Sequence, residues 1–419
     1  MEYTKGEILQ FVEENDVKFI RLAFCDMFGK LKNISIMPDE LPRAFDSGIS
    51  FDASVIPGFM NQTDSDLFLF PDPQTLVVLP WRPQHGRVVR FYCDVRLANG
   101  QPFDGDGRHI LKKVIDRSFD MGYNCKIGTE CEFYLFSEDE NGVKKPHDNA
   151  GYLDVAPLDK GENVRREICL TLEQMGISPE SSAHRQGPGQ NEIDFKYSDA
   201  LGAADNLITF KTVVDTVAAR QGLTASFMPC PIKGTAGSGL HVNMSLYKNG
   251  FNIFKNDSKK QSAEAESFMA GIMKHISCMT VFLNPVVNSY ERLGIFNAPK
   301  YITWSDQNRS QLIRIPKTSS VDYSRMEVRS PDPCCNPYLA FALLLSAGLD
   351  GIEENMKLDS PIDFDVNKAS EKELEKIEVL PGNLIDAIDA AAKSEFIKKV
   401  LPQKTLDKYL FEKKAEAGR

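Results

Sequence analysis

With 419 residues, 42% of them hydrophobic and 26% charged, the chain has the composition of an ordinary globular protein and the length for about two domains. Its formal net charge of −10 argues against a nucleic acid or an anionic membrane as partner, because such surfaces need clustered Lys and Arg. The nine cysteines are scattered and include the adjacent pair Cys334-Cys335, which is neither a disulfide framework nor a zinc-spaced quartet. Reduced thiols, an N-terminus without signal-peptide character and the lack of any apolar run of roughly 18 residues lead to the expectation of a cytoplasmic protein.

In chain order, Thr4 followed by Glu7 reads as a capping box for a first helix, and Val17–Asp26 and Leu31–Ile36 read as strands joined at 27–30. Strand-like runs at Leu67–Phe70, Thr75–Leu79 and Arg87–Asp94 are punctuated by Pro71, Pro73, Pro80 and Pro83. The pattern changes near Gly105-Asp106-Gly107, so a first domain is expected over 1–104 and a second over 105–419. The second opens with an amphipathic helix at Gly107–Met121, a strand at Cys125–Phe136 and helices at Val164–Met175 and Ala203–Gln221. Helices are expected to alternate with strands from there, with long buried helices at Glu264–Leu283 and Pro337–Glu354. A charged helical tail, Glu371–Lys414, is broken by Pro381-Gly382 and Pro402.

Residues 231–245 combine flexible glycines at 234, 237 and 239 with His241 on an alternating run. Such glycines let backbone approach phosphate or carboxylate oxygens, and the histidine can offer a ring nitrogen to a cation; alternatively this is only a strand entered through a loop. Glu130 and Glu132 share one face of a period-two strand, which suits a divalent cation or arginine partners, or else an exposed edge strand. Glu192 enters a further probable strand after Gly187-Pro188-Gly189, and Glu327 alternates with apolar neighbours in the same manner. Four glutamates and one histidine in one cavity would suit Mg²⁺ or Mn²⁺ rather than zinc, although each glutamate alone also fits a solvated strand position. Arg292, Arg309, Arg314, Arg325 and Arg329 recur in apolar or neutral surroundings. They suit bidentate binding of phosphate and carboxylate oxygens, with core salt bridges as the plain alternative.

From about residue 2 to about residue 410 the chain resembles the class I glutamine synthetases of the shorter kind. The motifs that carry the resemblance occur in order: Phe51-Asp52-Ala53-Ser54, Gly128–Phe136, Gly189–Ile193, Gly237–Ser245, Asn288-Ser289-Tyr290-Glu291-Arg292-Leu293, Asn308-Arg309-Ser310, Arg325–Arg329, and Pro331-Asp332-Pro333 with Asn336-Pro337-Tyr338. The resemblance implies an α+β chain with an N-terminal β-grasp domain, a catalytic domain built as an antiparallel β funnel with flanking helices, and sites shared between subunits of a homo-oligomeric ring. It also implies an ATP-dependent ligase with Mg²⁺ or Mn²⁺ that phosphorylates a glutamate-type side-chain carboxylate and amidates it with ammonia or another amine. By position, Glu130, His241 and Glu327 would hold one metal and Glu132 and Glu192 a second. Glu132, Gly237, His241, Arg292 and Arg329 would face the substrate acid, with Arg292 and Arg329 binding its carboxylates. Arg309 would stabilise the transferred phosphoryl group. Tyr197, Asn243, Ser245, Arg314 and Arg325 would line the nucleotide, and Asp52 of a neighbouring subunit would help deprotonate the incoming ammonium.

Three positions depart from the family pattern. Arg185 stands where the resemblance implies a third carboxylate for the second metal, and a cation cannot ligate a metal. Asn297 stands where a flap glutamate would take a proton, in a flap one residue shorter, and Ala236 replaces an asparagine that touches the substrate. These departures open an alternative expectation, a catalytically deficient paralogue that binds nucleotide and serves as a regulatory or structural protein. The 356–380 connection contains no tyrosine for adenylylation, and the chain ends at Arg419 without the family's Trp-containing extension. If that tail locks two rings together, a hexamer rather than a stacked dodecamer is expected.

Overall fold

The computed structural model describes residues 3–60, 65–82, 85–255, 261–366 and 368–418, so Pro83 lies outside the described residues. The first part contains helix α1 (Lys5–Glu14), strands β1 (Val17–Cys25) and β2 (Leu31–Ile36), helix α2 (Leu41–Ser47), and strands β3 (Ile49–Asp52), β4 (Asp66–Pro71), β5 (Val77–Val78) and β6 (Arg87–Arg96). The expected capping box is formed: the Thr4 side chain accepts from Glu7 N while Glu7 reaches back to the Thr4 backbone. The strands make a sheet of order β2-β1-β6-β4-β3, with β5 also on β6, and β1 and β6 run parallel in the middle. Helices α1 and α2 pack against this sheet, the arrangement of a β-grasp. The strand expected at Thr75–Leu79 is reduced to β5, because Pro73 opens a 3₁₀ turn over Pro73–Thr75 and removes a ladder donor.

The second part begins with α3 (Gly107–Asp120), whose N-cap Asp106 accepts from Arg108 N. Strands β7 (Tyr123–Glu138), β8 (Lys144–Pro146), β9 (Pro179–His184), β10 (Gln190–Phe195), β11 (Ser198–Asp199), β12 (Thr224–Ser226), β13 (Leu240–Lys248), β14 (Phe251–Asn252), β15 (Trp304–Ser305), β16 (Ile313–Arg314) and β17 (Met326–Val328) form one sheet. Its main path is β15-β16-β17-β13-β7-β10-β9, antiparallel except for the short pair β15–β16. Thus β7 is central, and Glu130 and Glu132 are not on an edge strand.

Helices α4 (Glu162–Gln174), α5 (Ala200–Arg220), α6 (Ala263–Leu283), α7 (Ser289–Arg292) and α8 (Pro337–Glu353) follow the expected spans closely, α7 excepted, for its four residues carry no readable period. The charged tail divides into α9 (Glu371–Leu374), α10 (Leu384–Ala392), α11 (Glu395–Val400) and α12 (Gln403–Ala417). Buried α8 packs on α6 at glycine contacts: a Cβ at Gly271 would lie 2.1 Å from Ala347 O, and one at Gly351 would lie 2.0 Å from Ser267 O. Leu240, Val242, Met244, Cys131, Phe133 and Leu135 are fully buried on the apolar face of the large sheet. Strand alternation then sends the intervening polar residues to the opposite face.

Candidate active site

That opposite face is set by register. His241 pairs with Glu130 and Asn243 with Gly128 across β13–β7, while Glu192 pairs with Glu132 and Asp194 with Glu130 across β10–β7. Glu327 pairs with both Asn243 and Arg314. Five strands, β10, β7, β13, β17 and β16, of which only β16 and β17 are consecutive in sequence, therefore bring their charged residues onto one polar floor.

On one side, His241 Nδ1 lies 3.0 Å from Glu130 Oε2 and 3.5 Å from Glu327 Oε1, and Asn243 Nδ2 donates to Glu130 Oε1 at 3.0 Å. Arg314 Nη1 donates to Glu327 Oε2 at 2.9 Å, Arg329 pairs with Glu327 Oε1, and Arg325 Nε donates to Asn243 Oδ1 at 2.9 Å. Burial alone would raise the Glu130 carboxyl, but the bond and charge of His241, helped by Asn243, bring it down to about 2. Glu130, Glu192 and His241 each offer a ligand atom within 4.8 Å of one another. Hard oxygens with one imidazole fit a single Mg²⁺ or Mn²⁺ on this side.

The other side is different. Arg185 Nε donates to Glu132 Oε1 at 2.8 Å, and its Nη1 lies 3.3 Å from Glu192 Oε1. Gly239 N donates to Glu132 Oε2 at 2.6 Å. Burial pushes Glu132 up, but the charges of Arg185, His241 and Arg292 and the Gly239 N–H together hold the carboxyl below its ordinary value. Glu192 is raised by burial and by the charge of Glu132, and Asp194 is pushed up to about 7 by burial and by Glu130. A guanidinium between two carboxylates does not fit a second divalent cation.

Gly237 and Gly239 matter for close approach. A Cβ at Gly239 would lie 2.6 Å from Arg292 Nη2 and 3.1 Å from His241 Nε2, and one at Gly237 would lie 2.9 Å from Arg292 Cγ. Buried Arg292 donates to the backbone oxygens of Ser330 and Arg329. A polar cavity of about 40 Å³ is lined by Glu132, Arg185, His241, Arg292, Arg329 and the flap residue Asn297, with Ala236 and Gly237 also on its wall. That is room for a water or two and not for an amino acid, and the flap residues 295–297 beside it are exposed.

Of the other expected residues, Ser245 donates to Ser324 O at 3.2 Å, two steps along β13 from Asn243. Tyr197 is 55% exposed and hydrogen-bonds Tyr247 beside Gly128. From Ser245 to His241 the strand covers about 13 Å. Arg309 is exposed in the turn between β15 and β16 and forms no ion pair with a described residue. Asp52 sits in the N-terminal domain, where its carboxylate accepts from Ser54 N at 2.8 Å, and it has no funnel partner among the described residues. Sequence reasoning passed over Asp194, although its period-two relation to Glu192 could have found it. It also passed over Tyr152, whose ring lies 5.3 Å from the Arg185 guanidinium and which no local pattern singles out. The buried set Asp148, Asp159 and His184 is a support: His184 Nε2 lies 2.9 Å from Asp148 Oδ1, and Arg165 bonds Asp159.

The geometry agrees with what the chain is similar to. Residues 16–98 match the family description "Glutamine synthetase, beta-Grasp domain" and residues 104–419 match "Glutamine synthetase, catalytic domain". The glutamine synthetase of Clostridium saccharobutylicum is 47% identical over 422 residues, covering 99% of this chain and 95% of that one. That of Methanosarcina mazei is 46% identical over 420 residues, covering 99% and 94%. Among solved structures, a GmaS/ADP complex superposes with a TM-score of 0.88 at 32% identity, covering 97% of this chain and 95% of that one. Plasmodium falciparum glutamine synthetase gives a TM-score of 0.88 at 25% identity, covering 99% and 96%. The chain, a β-grasp domain joined to a funnel-bearing catalytic domain, therefore belongs to the glutamine synthetase family of carbon–nitrogen ligases, which work with ATP and a divalent cation, Mg²⁺ or Mn²⁺, on small-molecule substrates.

Proposed function

We propose that the protein phosphorylates the side-chain carboxylate of a glutamate-type acid with ATP and passes the acyl group to ammonia or another amine. The observation that carries this reading is the gathering of Glu130 and Glu327 about His241, which with the buried Arg292 and Arg329 lines the adjoining cavity. Arg292 and Arg329 hold the acid's carboxylates, for planar guanidinium groups suit that geometry. Gly237 and Gly239 leave room for it beside His241. Arg314, Arg325, Asn243, Ser245 and Tyr197 bind the nucleotide along β13, a role supported by the ADP held by the similar GmaS structure. Glu130, His241 and Glu327, the last on release from Arg314 and Arg329, would hold the divalent cation, which when bound would neutralise the transferring phosphate. Arg309, free to swing in its exposed turn, stabilises the transferred group. Asp52 of a neighbouring subunit takes a proton from the incoming ammonium, and Asn297 has no such capacity.

The same reading takes residues 1–104 and 105–419 as the two domains, supported by the passage from the first sheet into the Asp106-capped α3. It takes the assembly as a hexameric homo-oligomer, supported by the exposed apolar side chains of Tyr152, Leu153, Val155 and Leu158. Among the described residues no helix is long and apolar enough to cross a membrane, and all nine cysteines are free, which supports a cytoplasmic setting. A second reading, a paralogue without turnover, is favoured by the Arg185 pairing with Glu132 and Glu192. Phosphate release from ATP with glutamate, and with ammonium or a panel of amines, under Mg²⁺ or Mn²⁺ separates the two. Turnover with any amine supports the ligase. Nucleotide binding without turnover on any pair supports the second reading instead.

A further inference from the structure

The expectation of two bound metals fails at the Glu132–Glu192 side of the funnel, and the structure shows what stands there instead. Arg185 leaves the end of β9 with its backbone fixed: its N–H donates to Gln190 O at 2.8 Å, and its carbonyl oxygen lies 2.8 Å from His184 Nδ1. His184 is itself pinned by Asp148, so the side chain starts from a rigid point. Tyr152 lies against the guanidinium at 5.3 Å, and Glu132 and Glu192 take its Nε and Nη1. Both Glu132 oxygens are bonded, one to Arg185 and one to Gly239 N. The side chains of Glu132 and Glu192 are 7% and 9% exposed, yet Glu192 Oε2 has no partner. Glu192 also belongs to a trio with Glu130 and His241, on the metal-fitting side.

We infer that the Arg185 guanidinium is a tethered replacement for the second cation, so that this chain binds one divalent ion, on the Glu130–His241 side, with Glu192 beside it. The charge logic is direct. Two buried carboxylates need a counter-cation, a guanidinium supplies one positive charge without loss to solvent, and a divalent ion beside it would be repelled. Donor chemistry points the same way, since Arg185 offers only hydrogen-bond donors to a site that needs oxygen ligands. The inference rests on the proposed ligase reading only for the position of the remaining ion.

Mn²⁺ titration of the full chain without nucleotide, read by loss of the free-ion electron spin resonance signal, tests this. The native protein should take up one Mn²⁺ per chain, and Arg185→Glu should take up two. Arg185→Gln, which makes the side chain neutral but keeps it polar, should remove the counter-cation from Glu132 without adding a full equivalent of Mn²⁺, and circular dichroism with sedimentation checks that each variant is folded and assembled. Two ions in the native protein, or one in both native and folded Arg185→Glu, would overturn the inference. Uptake by Arg185→Glu alone would uphold the role of Arg185 while removing the metal from the proposed Glu130 side. No uptake by either would sink both.

Discussion

At the domain junction, Arg108 donates to Asp94 and Asp72 at 2.9 Å each and to both Asp205 oxygens at 3.2 and 3.0 Å, while Tyr338 shares Asp205 Oδ1 and Lys112 shares Asp94 Oδ1 with it. Asp94 lies on β6 of the N-terminal sheet, Asp72 directly after β4 and Asp205 on α5, so one guanidinium ties the two parts together. In the funnel most of the charges are also buried, but Glu192 Oε2 and Arg329 Nε have no partner and a polar cavity adjoins Arg329. The contrast separates two uses of buried charge. A saturated cluster has nothing left to offer a ligand, whereas an incompletely paired one keeps atoms available for substrate or metal.

The largest effect should come from breaking the saturated cluster. Arg108→Met strands three aspartates at the junction and should lower the unfolding free energy in denaturant by roughly 3–5 kcal/mol. A loss below about 1 kcal/mol would show that the junction does not depend on this pairing. Next comes Asp106, beside the same cluster, whose carboxyl is pushed up to about 6 by burial against an ordinary value of 3.8. The folded protein thus holds this proton more tightly than the unfolded chain. The resulting stabilisation is whole below about pH 4 and is lost as pH rises through about 6, a change of roughly 3 kcal/mol. Asp106→Asn should remove that decline, so the stability gap between parent and variant, followed from pH 4 to 7 by denaturant melts, should narrow; a constant gap would contradict the assignment.

In the funnel the ordering reverses, with function more sensitive than stability. Glu130→Gln should weaken Mn²⁺ binding roughly 100-fold, comparable to losses for residues that support metal ligands. Its unfolding free energy should move by only about 1 kcal/mol, as the Glu130 side chain is 26% exposed. Unchanged Mn²⁺ affinity would remove Glu130 from the site. The smallest stability effect belongs to Asp52→Asn, within about 0.5 kcal/mol because asparagine also caps a turn. Turnover, however, should fall sharply, and mixing these subunits with Glu130→Gln subunits should recover part of it if sites are shared in a ring.

Much of this was legible locally. The Thr4–Glu7 box, the β1–β2 pair, α3 and the long helices α5, α6 and α8 follow from caps and hydrophobic period, which act over a few residues. The polar faces of β7 and β13 were legible too, since alternation alone places Glu130 with Glu132 and His241 with Asn243. Short elements were not: β15, β16 and α7 are two to four residues long and exist only because neighbours complete their hydrogen bonds.

The amino-acid sequence by itself determined which residues carry charge on which strand face, that Arg185, Ala236 and Asn297 break the family pattern, and that no acid occupies position 185. Only the tertiary structure decided what those residues do to one another. Register across β9, β10, β7, β13 and β17 is a property of strand order, which brings residues 185, 132 and 192 into one ion-paired group and 130, 241 and 327 into another. Electrostatic energies depend on distance and burial, neither of which a linear pattern contains, so the division of the funnel into a metal-fitting side and an arginine-filled side emerges only from the fold.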